Sequence, residues 1–179
     1  MFYSTQYTSA MGNLTLVSTD QSLVGLWVED QKYFAATIGN QVVHHSEPPI
    51  LRQTKAWLDR YFAGEQPGPT TLSLAPVGSA FRQAVWKILL AIPYGQVTTY
   101  GAIAQIMAQK LGRTTMSSQA VGGAVGHNPI SIIIPCHRVV GAQGNLTGYA
   151  GGLDKKIYLL ELEGVDTAKF FVPKKGTAL

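Results

Sequence analysis

From Phe2 onward apolar and polar residues alternate in short runs, and each run stops at turn-forming residues. Phe2–Thr8, Leu14–Ser18 and Leu23–Val28 read as strands, separated by Met11-Gly12-Asn13 and Thr19-Asp20-Gln21. Tyr33–Ile38 and Gln41–Val43 continue the alternation weakly around Gly39-Asn40. Together they predict a small antiparallel sheet. After Pro48-Pro49 the period changes. Ile50, Trp57, Leu58, Tyr61 and Phe62 fall on one helical face, and Gly64 ends the helix. Residues 66–76 are rich in Pro, Gly and Thr and have no period, so they read as a connection between a sheet domain at 1–76 and a second domain at 77–179.

The second half is helical in pattern. Ser79 caps a helix carrying Phe81, Val85, Ile88 and Leu89, which stops before Pro93, and Tyr94-Gly95-Gln96 is a turn. Another helix starts near Thr99 with Ile103, Ile106 and Met107 facing inward and Gly112 beyond its end. A third, Ser117–Val125, is built from small residues: Ala120, Val121, Gly122, Gly123 and Ala124. The β-branched run Ile130–Ile134 then reads as a short buried strand leading into Cys136-His137-Arg138. Gly141–Gly152 holds five glycines and reads as a long flexible loop without a phosphate-binding fingerprint. Asp154 caps a helix over Lys155–Glu163, Gly164 ends it, and the tail from Ala168 reads as short, basic and partly disordered. The fold class is α+β.

Charge sharpens this division. Residues 1–80 hold 4 Lys and Arg against 6 Asp and Glu, whereas residues 81–179 hold 10 against 4. No acid lies between Glu65 and Asp154, a stretch that carries Arg82, Lys87, Lys110, Arg113 and Arg138. A surface facing phosphates needs such a segment. Two helices joined by a turn within it outline a helix-turn-helix, and the small third helix allows close approach to a groove. One cysteine excludes an internal disulfide, fits a reducing cytosol and argues against a thiolate zinc site. The four histidines lack ligand spacing, and His44-His45 reads as solvated loop. No apolar run approaches the roughly 18 residues of a membrane span, and Met1–Thr5 lacks a basic-then-apolar signal.

The chemistry concentrates at Cys136. A lone thiol followed by an imidazole is a nucleophile with a base beside it, or else an inert buried cysteine. In the last helix Leu153, Ile157 and Leu160 form an apolar face that Glu163 shares, while Lys155, Lys156 and Glu161 point elsewhere. An acid there, at a helix C-terminus, needs a partner. Pairing with Arg138 and orienting His137 are both open, the second giving a Cys136–His137–Glu163 constellation.

Several motifs in order make the chain similar to the methylated-DNA–protein-cysteine methyltransferases, which repair guanine alkylated at O6. They are Phe81-Arg82-Gln83-Ala84-Val85-Trp86, Ile92-Pro93-Tyr94-Gly95, Thr99-Tyr100, Ala120–Ala124, Asn128-Pro129, Ile134-Pro135-Cys136-His137-Arg138-Val139-Val140, Gly148–Leu153 and Leu159–Gly164. The resemblance implies a ribonuclease-H-like first domain and double-stranded DNA containing O6-alkylguanine as partner, with thymine O4 a further target. It implies a cytoplasmic monomer without cofactor or metal, since the zinc ligands some members carry near the N-terminus are missing. Cys136 would accept the alkyl group once and irreversibly, from a nucleotide flipped out of the duplex. His137 would be its base through an ordered water and Glu163 the orienter of His137. Asn128 would hold the turn, and Tyr100 would rotate the phosphate and donate to guanine N3. Val139, Tyr149, Ala150 and Gly151 would line the pocket, with the Cys136 and Val139 carbonyls reading the exocyclic amine and the Ala150 N–H approaching O6. Gln119, Ala120, Gly122, Gly123 and Arg138 would face DNA in the minor groove. Gln119 stands where the family often has an Arg finger, and Leu111–Ser118 is longer than usual. A cysteine hydrolase and a non-repairing lesion binder are the competing readings.

Overall fold

The structure is a computed structural model that describes residues 1–41 and 43–173. It divides into two compact units: Met1–Gly78 with Pro129–Ile133, and Ser79–Asn128 with the chain from Ile134 on.

In the first unit β1 (Phe2–Ser9), β2 (Gly12–Ser18) and β3 (Leu23–Val28) form an antiparallel meander. The fourth strand, β4 (Val43–His44), adds to the outer edge of β1 in parallel, so the sheet is mixed, in the order β3-β2-β1-β4. The weak strand candidates fare differently. Tyr33–Ile38 is a series of turns, with Tyr33 (φ 62°) and Ala35 (φ 53°) in the left-handed region, so its alternation never extends. Gln41–Val43 is a strand only at Val43, and Val42 lies outside the described residues.

Strand register explains the burial. Leu14, Leu16, Leu26 and Val28 pair across β2 and β3 on one face, and Val17, Gly25 and Trp27 occupy the other. The first face meets α1 (Pro49–Phe62), which buries Ile50, Leu51, Trp57, Leu58 and Tyr61; Phe62 stacks on Tyr7. On the opposite face Val17, Val24, Trp27 and Ile38 form a second apolar cluster. Gly25 is required there, because a Cβ on it would lie 2.0 Å from the Trp27 ring.

The second unit packs α2 (Ala80–Leu90), α3 (Tyr100–Lys110) and α4 (Ser118–Gly126) together. Ser79, Thr99 and Ser117 each cap a helix by accepting from a backbone N–H three residues on. Trp86 ties α2 to α4 by donating from Nε1 to the Ala124 carbonyl at 2.9 Å. Ile106 does not face inward as its spacing predicts; it is exposed, and Ala104 and Ala108 fill that side. A two-stranded parallel ladder joins β5 (Thr98–Thr99) to β6 (Val139–Val140). The last helix, α5 (Leu153–Leu162), begins after Gly152 (φ 99°), and Asp154 sits in its first turn without capping it.

Two further expectations change. Ile130–Ile134 is not a strand. Ile130 makes a single bridge to Leu26, and Ser131–Ile133 are turns, with Ile132 at φ 70° and the Ile133 N–H bonded back to Ser131. The flexible-loop reading of Gly141–Gly152 gives way to a pinned segment. The Leu146 N–H donates to the Phe171 carbonyl in the tail, and the Phe171 N–H donates to the Gly144 carbonyl. The tail is therefore ordered at Phe171, and its residues from 174 lie outside the described set. No helix among the described residues is long and apolar enough to cross a membrane.

Candidate active site

The site lies in the second unit and is built on two tight turns. Pro135 (φ −82°, ψ 67°) makes an inverse γ-turn in which the Cys136 N–H donates to the Ile134 carbonyl at 2.8 Å. Asn128 donates from Nδ2 to the same carbonyl at 2.8 Å and also hydrogen-bonds the Cys136 thiol. Asn128 thus holds the Ile134–Cys136 turn. Cys136–Arg138 form one 3-10 turn, and β6 follows at once, anchored to β5. The reactive residues are therefore bounded by a fixed carbonyl on one side and a sheet ladder on the other.

Cys136 is 5% exposed, His137 0% and Glu163 5%. His137 Nε2 lies 2.7 Å from Glu163 Oε1. Arg138 donates to the same carboxylate twice, Nε to Oε2 at 2.8 Å and Nη2 to Oε1 at 2.9 Å, and its Nη1 donates to the Ile92 carbonyl at 2.6 Å. The Gly95 N–H reaches Oε2 at 3.2 Å, and the Tyr94 hydroxyl donates to the Leu162 carbonyl. Both partners left open for Glu163 are thus engaged together. Arg138 is corrected as a DNA-facing residue: it is buried, lies over the Tyr94 ring, and each of its three nitrogens donates inside the protein.

These contacts set the protonation states. Burial works to raise the Glu163 carboxyl, but the hydrogen bonds from His137 and Arg138 outweigh it and hold the group well below the usual carboxylate range. An ionised carboxylate only accepts, so Nε2 of a neutral His137 must carry its proton. Burial pushes the His137 imidazole down despite Glu163, which keeps it neutral. Nδ1 is left with a bare lone pair and, among the described residues, no hydrogen-bond partner. Burial pushes the Cys136 thiol up, against the Asn128 hydrogen bond and the Lys156 charge, so the resting sulfur is a thiol. A buried acid beside a base with an open lone pair is the arrangement that creates a thiolate on demand.

Tyr100 is buried at the start of α3 and donates to the Thr147 and Gly148 carbonyls at 3.3 and 3.2 Å. Burial raises its hydroxyl, so it stays a donor. Tyr149, Ala150 and Gly151 are half-buried, Val139 is buried, and the Tyr149 hydroxyl has no partner among the described residues. Gln119, Ala120 and Gly123 are exposed on α4, near exposed Lys110 and Arg113 in the chain. Gly122 is corrected: it is buried on the inner face of α4.

Lys156 is also corrected. It does not point elsewhere but is 0% exposed, and its Nζ donates to the carbonyls of Val139, Thr147 and Gly148. A signal for it existed. Lys156 precedes Glu163 by seven residues, two helical turns, so Lys156 shares the stripe of α5 that runs on to its C-cap Glu163.

The amino-terminal residues 1–76 match a family described as "6-O-methylguanine DNA methyltransferase, ribonuclease-like domain", and residues 80–165 match its DNA binding domain. A methylated-DNA–protein-cysteine methyltransferase of Haemophilus influenzae is 40% identical over 91% of this chain and 87% of its own. One from Methanosarcina acetivorans is 44% identical over 77% and 74%. The O6-methylguanine methyltransferase structure of Mycobacterium tuberculosis has a TM-score of 0.74 at 38% identity, covering 98% of this chain and 97% of the other. A structure from the same organism in complex with DNA gives 0.77 at 39%, covering 94% of each.

Proposed function

The chain belongs to the 6-O-methylguanine DNA methyltransferase family, and we propose that it repairs DNA by moving an alkyl group from O6 of guanine to its own Cys136, once per molecule. The observation that carries this reading is the open lone pair of buried His137, fixed by Glu163 beside a lone buried thiol. The thiol proton passes through an ordered water to Nδ1, and the imidazolium that forms is held by the Glu163 carboxylate. The thiolate sulfur attacks the alkyl carbon, the S–C bond forms, and the C–O6 bond breaks. Its electron pair leaves with the guanine, which takes up one proton in place of the alkyl group, matching the one the thiol gave up, and the Tyr100 hydroxyl is the hydrogen-bond donor proposed towards N3. The product thioether has no hydrolytic route back to the thiol, so the protein is consumed.

The alkylated base must leave the duplex to reach a buried sulfur. Val139, Tyr149, Ala150 and Gly151 are the proposed pocket, where the unpartnered Tyr149 hydroxyl offers a hydrogen bond. The α3–α4 pair is the proposed helix-turn-helix, with Gln119, Ala120 and Gly123 against a double-stranded DNA groove. The protein is read as a cytoplasmic monomer with domains at 1–76 and 77–179. To test the reading, the protein is mixed with a duplex containing O6-methylguanine and the mass of the Cys136 peptide is followed. One added methyl at one equivalent, absent in Cys136→Ala, is expected. Repeated turnover, or no transfer, refutes it.

A further inference from the structure

Lys156 is a buried cation that the transfer chemistry above does not use. Its ammonium spends its hydrogens on three backbone carbonyls, Val139 at 2.6 Å, Thr147 at 2.9 Å and Gly148 at 3.4 Å. No carboxylate among the described residues forms an ion pair with it; Glu163 is taken by His137 and Arg138. Carbonyl dipoles solvate such a charge only in part, and a buried ammonium without an anion is costly. One nearby group gains negative charge during the reaction. Val139, the nearest acceptor of the ammonium, closes the Cys136–Arg138 turn and donates its own N–H to the Cys136 carbonyl, so the charge sits on the backbone that carries the sulfur and acts to lower the thiol.

We propose that Lys156 is a positioning residue that holds a positive charge beside the turn carrying the Cys136 sulfur, stabilising the thiolate while it stitches β6 to the Thr147–Gly148 segment. The inference rests on Cys136 being the alkyl acceptor. The other groups around the sulfur are accounted for: His137 is neutral, Arg138 and Glu163 satisfy each other, and the Tyr100 and Tyr149 hydroxyls keep their protons. The imidazolium formed with the thiolate is balanced by Glu163, whereas the Lys156 charge is present before the proton moves and has no carboxylate ion pair among the described residues. Burial brings its own value down to about 8, so at neutral pH the ammonium is still the main form. Alkylation replaces the thiolate with a neutral thioether and so removes that anion from the neighbourhood of Lys156.

The test needs no DNA, so its failure is separable from failure of the repair reading. Cys136 is the sole cysteine, and iodoacetamide modification of the whole protein therefore reports it alone. Rates are measured against pH for wild type, Lys156→Gln and Lys156→Arg. Gln is expected to raise the apparent thiol pKa by about one unit or more and to slow modification at pH 7 by roughly tenfold, and Arg to restore both. A merely structural role would lower the yield of folded protein without moving the titration. If the Gln variant does not fold, the wild type still decides. The side-chain NMR titration of Lys156 is expected to move to lower pH once Cys136 is S-methylated. An unchanged titration there, or the same thiol pKa in all three proteins, overturns the proposal.

Discussion

Glu163→Gln keeps the shape of the acid and removes its charge. In the wild type one carboxylate accepts two donors from Arg138, one from His137 and the Gly95 N–H. A Gln offers one acceptor oxygen and an NH2 group that faces donors. With Arg138 buried and held by Ile92, the lost partner leaves a charge in the interior, and the expected loss of folding stability is about 3 kcal/mol. An exposed ion pair would lose no more than about 1 kcal/mol. The pH dependence fixes the cause. Folding lowers the Glu163 value from its ordinary 4.5, so its stabilisation is complete above that pH and is lost as the pH falls below it. The Gln variant has no such loss, and the gap between the proteins should narrow towards acid pH. His137, held below its ordinary 6.5, adds a separate decline below pH 6.5 in both. Chemistry changes as well. If the Gln oxygen serves Arg138, its NH2 donates to His137 Nε2, the proton moves to Nδ1, and the base is blocked. Urea unfolding followed by hydrogen exchange over residues 134–165, with methyl transfer measured in parallel, tests both effects. A loss under about 1 kcal/mol at pH 7, or one that does not shrink in acid, refutes the buried-clamp reasoning.

Asn128→Ala removes the bond to the Ile134 carbonyl and the contact with the thiol, and is expected to cost about 1–3 kcal/mol and to slow Cys136 modification; unchanged urea midpoint and rate would sink that assignment. Gln119→Arg adds a cation to the exposed face of α4, so a log–log plot of DNA affinity against salt should steepen by about one unit, and an unchanged slope counts against that face meeting phosphates.

Much of this was legible in the residues because their period was regular. The three long strands, the capped helices at Ser79, Thr99 and Ser117, and the burial of Glu163 all follow from spacing and a capping oxygen. Ile130–Ile134 departs from a strand because β-branching shows burial without saying which backbone the prolines at 129 and 135 permit. Charge and the resemblance both point Arg138 at DNA, but neither shows that the Ile92–Gly95 turn, more than forty residues earlier, supplies its acceptor. Lys156 was misplaced because a lysine on a helix is assumed to face solvent. Its acceptors are three main-chain carbonyls, which leave no mark in side-chain identity.

The separation of the clamp's parts along the chain bears on the order in which the protein comes into being. Thr98 meets Val139, Gly95 meets Glu163, and Glu163 in turn meets His137, so the site closes through loops of 68 and 26 residues. Such closures come late in folding, after local helices have formed. On the ribosome the cysteine and imidazole emerge before α5 does, and for that interval the chain holds a nucleophile without its oriented base. The last helix is therefore an arming step: a truncated or nascent chain carries Cys136 as an ordinary thiol, and the molecule becomes a reagent only when its C-terminal segment docks.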